Sequence, residues 1–318
     1  MIQVEHLTKR YAGHTALNDL SFSVEKGRIA GFLGPNGAGK STTMRILSTF
    51  MPATSGRVVM AGYDILRKPL EVRRRIGYMP ENNPLHLDMR VAEYLRFRGG
   101  LRGLSGQALH KRTEEVLEQC DLKEVSKKII GQMSKGYRQR VGVADAILHR
   151  PEVIMLDEPT IGLDPHQVRL FRHMIASLAQ NHTVLLSTHI LSEVEILCDH
   201  ILILQGGRLL ANDTREEIQK RVGSLTQCLA EIQAPWEPLS EALRSTDSVA
   251  DFDIQDLGEG FLRCKMHSKD GNDLRPMLFE MIKQKGWSLR ELTQDQPSLE
   301  DLFVQLTHVG RVTREEPS

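Results

Sequence analysis

Gly34-Pro35-Asn36-Gly37-Ala38-Gly39-Lys40-Ser41-Thr42 follows the apolar run Ile29–Leu33 and opens a stretch in which Met44, Ile46 and Leu47 recur at helical spacing. A glycine-rich turn between a strand and a helix suits phosphate, because glycines let backbone N–H groups converge on anionic oxygens and the helix N-terminus adds partial positive charge. Lys40 is then placed to reach the β and γ phosphates of a nucleotide, and the Ser41 hydroxyl to ligate Mg²⁺. All nine residues are candidates for nucleotide binding.

A second run, Val153-Ile154-Met155-Leu156-Asp157-Glu158, sets two carboxylates at the end of an apolar strand. Alone, two acids there are commonly a solvated strand end. Beside a phosphate loop, Asp157 is placed to hold Mg²⁺ through water and Glu158 to polarise an attacking water. Strand-like runs at 28–33, 153–156 and 183–187 alternate with longer helical patterns, which predicts an α/β domain with a mostly parallel sheet. Residues 88–149 have few strand-like runs and read as helices, for example 113–120 with Val116 and Leu117 on one face.

These motifs stop near Val222, and a β-α-β-β-α-β order begins. Its strands fall near 227–233, 249–254, 260–267 and 287–292, with helices near 237–245 and 273–285, the pattern of a small ferredoxin-like module. The division is therefore residues 1–221 with a helical subdomain at about 82–150, an α+β domain at 222–310 and a polar tail at 311–318. A last helix is expected from Ser298, an N-cap followed by acidic Glu300 and Asp301.

The 41 basic and 41 acidic residues cancel, which gives no support for a field that attracts nucleic acid or anionic lipid. Cys120, Cys198, Cys228 and Cys264 form no CxxC pair, so neither a zinc site nor a disulfide framework is indicated. No apolar run approaches the roughly 20 residues that cross a bilayer, and MIQVEHLTKR lacks the apolar core of a signal peptide. A cytoplasmic protein is expected, attached to a membrane only through a protein partner.

Upstream of the carboxylates, Met133-Ser134-Lys135-Gly136-Tyr137-Arg138-Gln139-Arg140 resembles the signature that separates ABC ATPases from other phosphate-loop proteins. The resemblance implies an ABC-type core with a helical subdomain, and a dimer in which Ser134 and Gly136 face the γ phosphate held by the opposite subunit. A helix start at Ser134 would itself form an anion site. Lys135 and Tyr137 stand where glycine and glutamine are common, a variant similar to that of ABC-2 type exporter subunits, including the gliding-motility-associated group. Lys135 is either an added charge near phosphate or a plain exposed lysine.

Further matches follow in family order. Tyr11 resembles the aromatic that stacks on adenine, and Gly162-Leu163-Asp164 the loop that couples two sites across the dimer. Thr188-His189 resembles the switch histidine that touches the γ phosphate. Glu81, in Ile76-Gly77-Tyr78-Met79-Pro80-Glu81, stands where glutamine is usual; a carboxylate there can bind Mg²⁺ or water but loses the neutral donor. Ser298-Leu299-Glu300-Asp301-Leu302-Phe303 also resembles the ends of exporter subunits.

The resemblance implies a homodimer that hydrolyses ATP with Mg²⁺ and drives a separate integral membrane permease subunit from the inner face of the cell membrane. The expected docking surface lies beside Glu81 and residues 88–98. A soluble ABC-type ATPase acting on ribosomes or DNA is the first alternative; the paired cassettes, coiled coils or zinc modules usual there are not seen. The second, a phosphate-loop kinase or GTPase, conflicts with the segment from Ser134 to Arg140. The transported substance is not written in this chain.

Overall fold

The computed structural model describes residues 1–218, 227–269, 272–295 and 302. The chain divides into two compact units, Met1–Arg215 and Glu216–Ser318.

In the first unit, β3 (Ile29–Leu33), β7 (Val153–Asp157) and β8 (Thr183–Thr188) are buried along their whole length. Continuous apolar strands of this kind belong to a parallel sheet covered on both faces. They form its centre, in the order β10-β9-β3-β8-β7-β6, with β6 at Ile76–Met79, β9 at His200–Gln205 and β10 at Arg208–Thr214. Only the β10–β9 pair is antiparallel.

A second, antiparallel sheet of order β2-β1-β4-β5 was not anticipated from the sequence. It comprises β1 (Ile2–Tyr11), β2 (His14–Val24), β4 (Ser55–Met60) and β5 (Tyr63–Asp64). Leu20, Phe22 and Val24 alternate inward with exposed Ser21 and Ser23, as one solvated face requires. They join a core with Phe32, Met44, Leu185 and Leu202. Phe22 and Phe32 meet edge to face at 5.2 Å.

Helix α1 (Lys40–Leu47) follows β3, and α2 (Pro69–Arg75) precedes β6. The helical region contains α3 (Val91–Leu101), α4 (Gly106–Gln119) and α5 (Lys135–Ile147). Helix α4 contains the helical stretch read at 113–120 and extends it back to Gly106, with Leu109 one face-repeat before Val116. Two further helices, α6 (Pro165–Ala179) and α7 (Leu191–Leu197), follow β7 and β8.

The second unit holds β11 (Gln227–Gln233), α8 (Trp236–Arg244), β12 (Val249–Gly258), β13 (Phe261–Ser268), α9 (Arg275–Lys285) and β14 (Ser288–Asp295). Its sheet order β12-β13-β11-β14, antiparallel throughout, is that of a ferredoxin-like module. Cys228, Ala230 and Ile232 of β11 face Leu239, Leu243, Leu278 and Ile282 in a core of its own. The expected helix from Ser298 and the tail from Arg311 lie outside the described residues, except that Leu302 is helical and buried. All four cysteines are free and buried, and burial pushes the Cys120 and Cys264 thiols up to about 12.

Separate cores predict separable units. A chain ended near Arg215 is expected to stay folded and to bind ATP with unchanged affinity by calorimetry. Lost binding in a truncation that still melts cooperatively would contradict this independence.

Candidate functional site

Register decides which side chains meet. Leu33 of β3 pairs with Thr188 of β8, and Asp157 of β7 pairs with Ser187. Three neighbouring parallel strands thus end at one level, where ligands bind in open α/β sheets. The turn after β3 delivers Lys40, the end of β7 delivers Asp157 and Glu158, and the end of β8 delivers His189.

The turn is compact because Gly34 lies against the backbone of the β9 end: a Cβ there would collide with the Leu204 carbonyl oxygen and stand 3.1 Å from the Ala38 Cβ. Lys40 is 5% exposed. Its ammonium donates to the carbonyls of Gly34 at 2.6 Å and Pro35 at 3.3 Å, and lies 3.3 Å from Glu158 Oε1. The other Glu158 oxygen faces His189 Nδ1 at 2.8 Å. Glu158 adopts a φ of +48°, sparsely populated by non-glycine residues, and its N–H donates to Ser187 at 2.9 Å.

The Ser41 hydroxyl donates to Asp157 Oδ1 at 3.3 Å. Burial, with the charges of Glu158 and Glu81, holds the Asp157 carboxyl above the usual carboxylate range although the Ser41 bond opposes this. Such a carboxylate gains from a cation. Two hard oxygen donors suit Mg²⁺, which keeps several waters and phosphate oxygens in its shell. Among the described residues, no three His, Cys, Asp or Glu side chains converge on a metal position, so the remaining ligands would be phosphate and water.

A cleft of about 450 Å³ runs over the loop, lined by Pro35, Asn36, Gly37, Ala38, Gly39, Lys40, Ser41 and Thr42, with Glu81, Glu158 and Tyr11 at its sides. Tyr11 is half exposed, its hydroxyl 3.3 Å from Met51 Sδ. His14 and Ile161, which the sequence reading did not select, line the same cleft. His14 stands near Tyr11 through the hairpin register Tyr11↔His14, a pairing visible only once β1 and β2 are known.

Ser134, Gly136 and Asp164 do not line this cleft. They sit together at the starts of two helices. Ser134 caps α5, its Oγ accepting from Tyr137 N–H at 3.5 Å, and Asp164 caps α6, accepting from Gln167 N–H at 2.9 Å. A Cβ added to Gly136 would meet Gln167 Oε1 at 2.8 Å, and one added to Gly162 would meet Lys135 Nζ at 2.6 Å. Lys135 therefore runs past the loop before α6.

The family model for ABC transporters matches residues 17–161. The linearmycin resistance ATP-binding protein LnrL of Bacillus subtilis is 33% identical over 99% of this chain and 100% of its own length. The chain belongs to the ABC transporter ATP-binding proteins. The bacitracin transport ATP-binding protein BcrA of Bacillus licheniformis is 34% identical over 98% of this chain and 99% of its own. Among solved structures, an ATP-binding subunit of an ABC transporter shares 31% identity at a TM-score of 0.63, covering 70% of this chain and 93% of that one. A dimeric ATP-binding cassette in a post-hydrolysis state with ADP and Pi, at 23% identity and a TM-score of 0.62 over 68% of this chain and 99% of its own, shares the fold. This chain is thus an ATP-binding subunit and an ATPase, of the kind that acts with membrane permease components. No described helix is long and apolar enough to cross a membrane.

The contact at Gly34 yields a test. Gly34→Ala is expected to displace the loop and weaken ATP binding by at least tenfold in calorimetry, about 1.4 kcal/mol. Unchanged affinity would show that the loop tolerates a side chain against Leu204.

Proposed function

We propose that this chain powers an ABC-2 type exporter from the inner face of the cell membrane, as a homodimer that closes on two ATP molecules and drives a separate integral membrane subunit. The observation that carries the site reading is the division of its candidate residues. Lys40, Ser41, Asp157, Glu158 and His189 converge at the C-terminal ends of β3, β7 and β8, while Ser134, Gly136 and Asp164 form a separate surface at the starts of α5 and α6. A second copy in head-to-tail arrangement would bring that surface over the phosphates. Relatives named for linearmycin resistance and bacitracin transport support the exporter class.

Lys40 and the loop amides bind the β and γ phosphates, and Tyr11 stacks on the adenine. Ser41 and Asp157 would hold Mg²⁺, with Glu81 nearby through water; the ion would neutralise charge on the phosphate oxygens. Once phosphate occupies Lys40, Glu158 is released to orient a water and accept its proton. The water oxygen bonds to the γ phosphorus as the bond to the β-bridging oxygen breaks, giving ADP and phosphate. His189 touches the γ phosphate and Glu158 together. Ser134 and the first amides of α5 from the partner subunit complete the anion site, and phosphate release opens the dimer.

Replacing Lys40 with alanine is expected to weaken ATP binding at least tenfold by calorimetry; an equal affinity would remove the phosphate assignment. Glu158→Gln keeps shape and loses the base, which typically contributes 10²- to 10⁴-fold to rate. It is expected to accumulate as an ATP-dependent dimer in light scattering that ADP does not produce, and adding Ser134→Arg is expected to abolish it. Normal hydrolysis by Glu158→Gln, or no dimer even with the membrane subunit present, would overturn the composite site.

A further inference from the structure

Thr188 ends β8, and His189 follows it. The Thr188 hydroxyl donates to Glu193 Oε2 at 2.8 Å and accepts from the Ile190 N–H at 3.1 Å. The Glu193 N–H in turn donates to the Ile190 carbonyl at 3.2 Å. These three bonds close a ring around the backbone of His189, fixing the residue on each side of it. The imidazole is left to project toward Glu158.

Glu193 itself is fully buried, and its second oxygen, Oε1, has no hydrogen-bond partner. Among the described residues no basic side chain pairs with it. A buried polar atom left unpaired costs free energy, and such groups in a native fold call for a reason. The backbone has little room to yield. Helix α7 is seated on β3 at Gly31, where an added Cβ would stand 2.6 Å from Cys198 Sγ and 3.3 Å from Val194 Cγ1. The helix thus holds Glu193 at a fixed depth beside the end of β8, and an apolar residue of similar size would fill the space without the penalty but could not accept from Thr188.

We propose that Glu193 is a positioning residue for ATP hydrolysis: by clamping Thr188 it fixes the segment that aims His189 at Glu158. The inference rests on the reading of Glu158 and His189 as partners at the γ phosphate. Glu193 is fully buried and bonds to Thr188, not to Glu158 or His189. It acts on turnover through His189, so its removal should slow chemistry and leave binding intact.

Steady-state hydrolysis by the full chain tests this, with ATP affinity and thermal midpoint measured beside it. Glu193→Ala is expected to lower kcat about tenfold while KM for ATP changes less than about twofold. Glu193→Gln, whose amide oxygen still accepts from Thr188, is expected to restore most of kcat. The double variant Glu193→Ala with His189→Ala should be no slower than His189→Ala alone, because residues that act as one unit are not additive. A kcat within about twofold of the parent for Glu193→Ala, or full additivity in the double variant, overturns the proposal. Should Glu193→Ala fail to fold, Thr188→Val removes the same hydrogen bond, and an undiminished kcat there overturns it equally. An unaltered kcat in His189→Ala would instead remove the underlying site reading.

Discussion

Lys40 and Glu158 face each other at 3.3 Å with both side chains almost withdrawn from water. Taking two charges out of water costs several kcal/mol for each, and such a pair persists only where further bonds complete it. Here they do. Two carbonyls of the loop hold the ammonium, and His189 holds the second carboxylate oxygen. One lysine thereby links the phosphate loop, the candidate base and the candidate switch, and in the proposed mechanism a phosphate that engages this lysine competes with Glu158 for it. The proposed mechanism thus couples nucleotide binding to release of the base.

The rest of the first unit keeps that contact in place. Parallel pairing brings β3, β7 and β8 to a common end, and all three strands are buried along their whole length. Close approaches at Gly34 and Gly31 bring the loop against β9 and α7 against β3. The left-handed backbone at Glu158 turns its side chain back toward Lys40, at a strain that the bond to Ser187 helps to hold.

The parts legible in the sequence were those written in contiguous residues. The run from Gly34 to Thr42, the apolar strand ending in Asp157, the N-cap at Ser134 and the β-α-β-β-α-β order after Val222 all combine local spacing with simple periodicity, and the structure places them at the expected elements. What escaped depends on pairing across distance. The antiparallel sheet announces itself only as short alternations, Leu20-Phe22-Val24 and Val58-Met60, interrupted by register shifts in β1. His14 enters the cleft through a hairpin register, and Lys40 at the start of α1 meets Glu158 just beyond the end of β7. Glu193 reads as an ordinary acid in a helical first turn; its burial comes from the seat of α7 on Gly31, which no spacing records.

The claim that Lys40 passes from Glu158 to phosphate is tested most directly by the affinity for ADP, which engages the β phosphate without needing a closed dimer. In calorimetry with Mg²⁺ present, Glu158→Gln should bind ADP more tightly than the parent, by about threefold to tenfold, since the competing charge on Lys40 is gone. An affinity equal to the parent's, or weaker, would show that the ion pair exerts no hold on the lysine and would contradict the exchange.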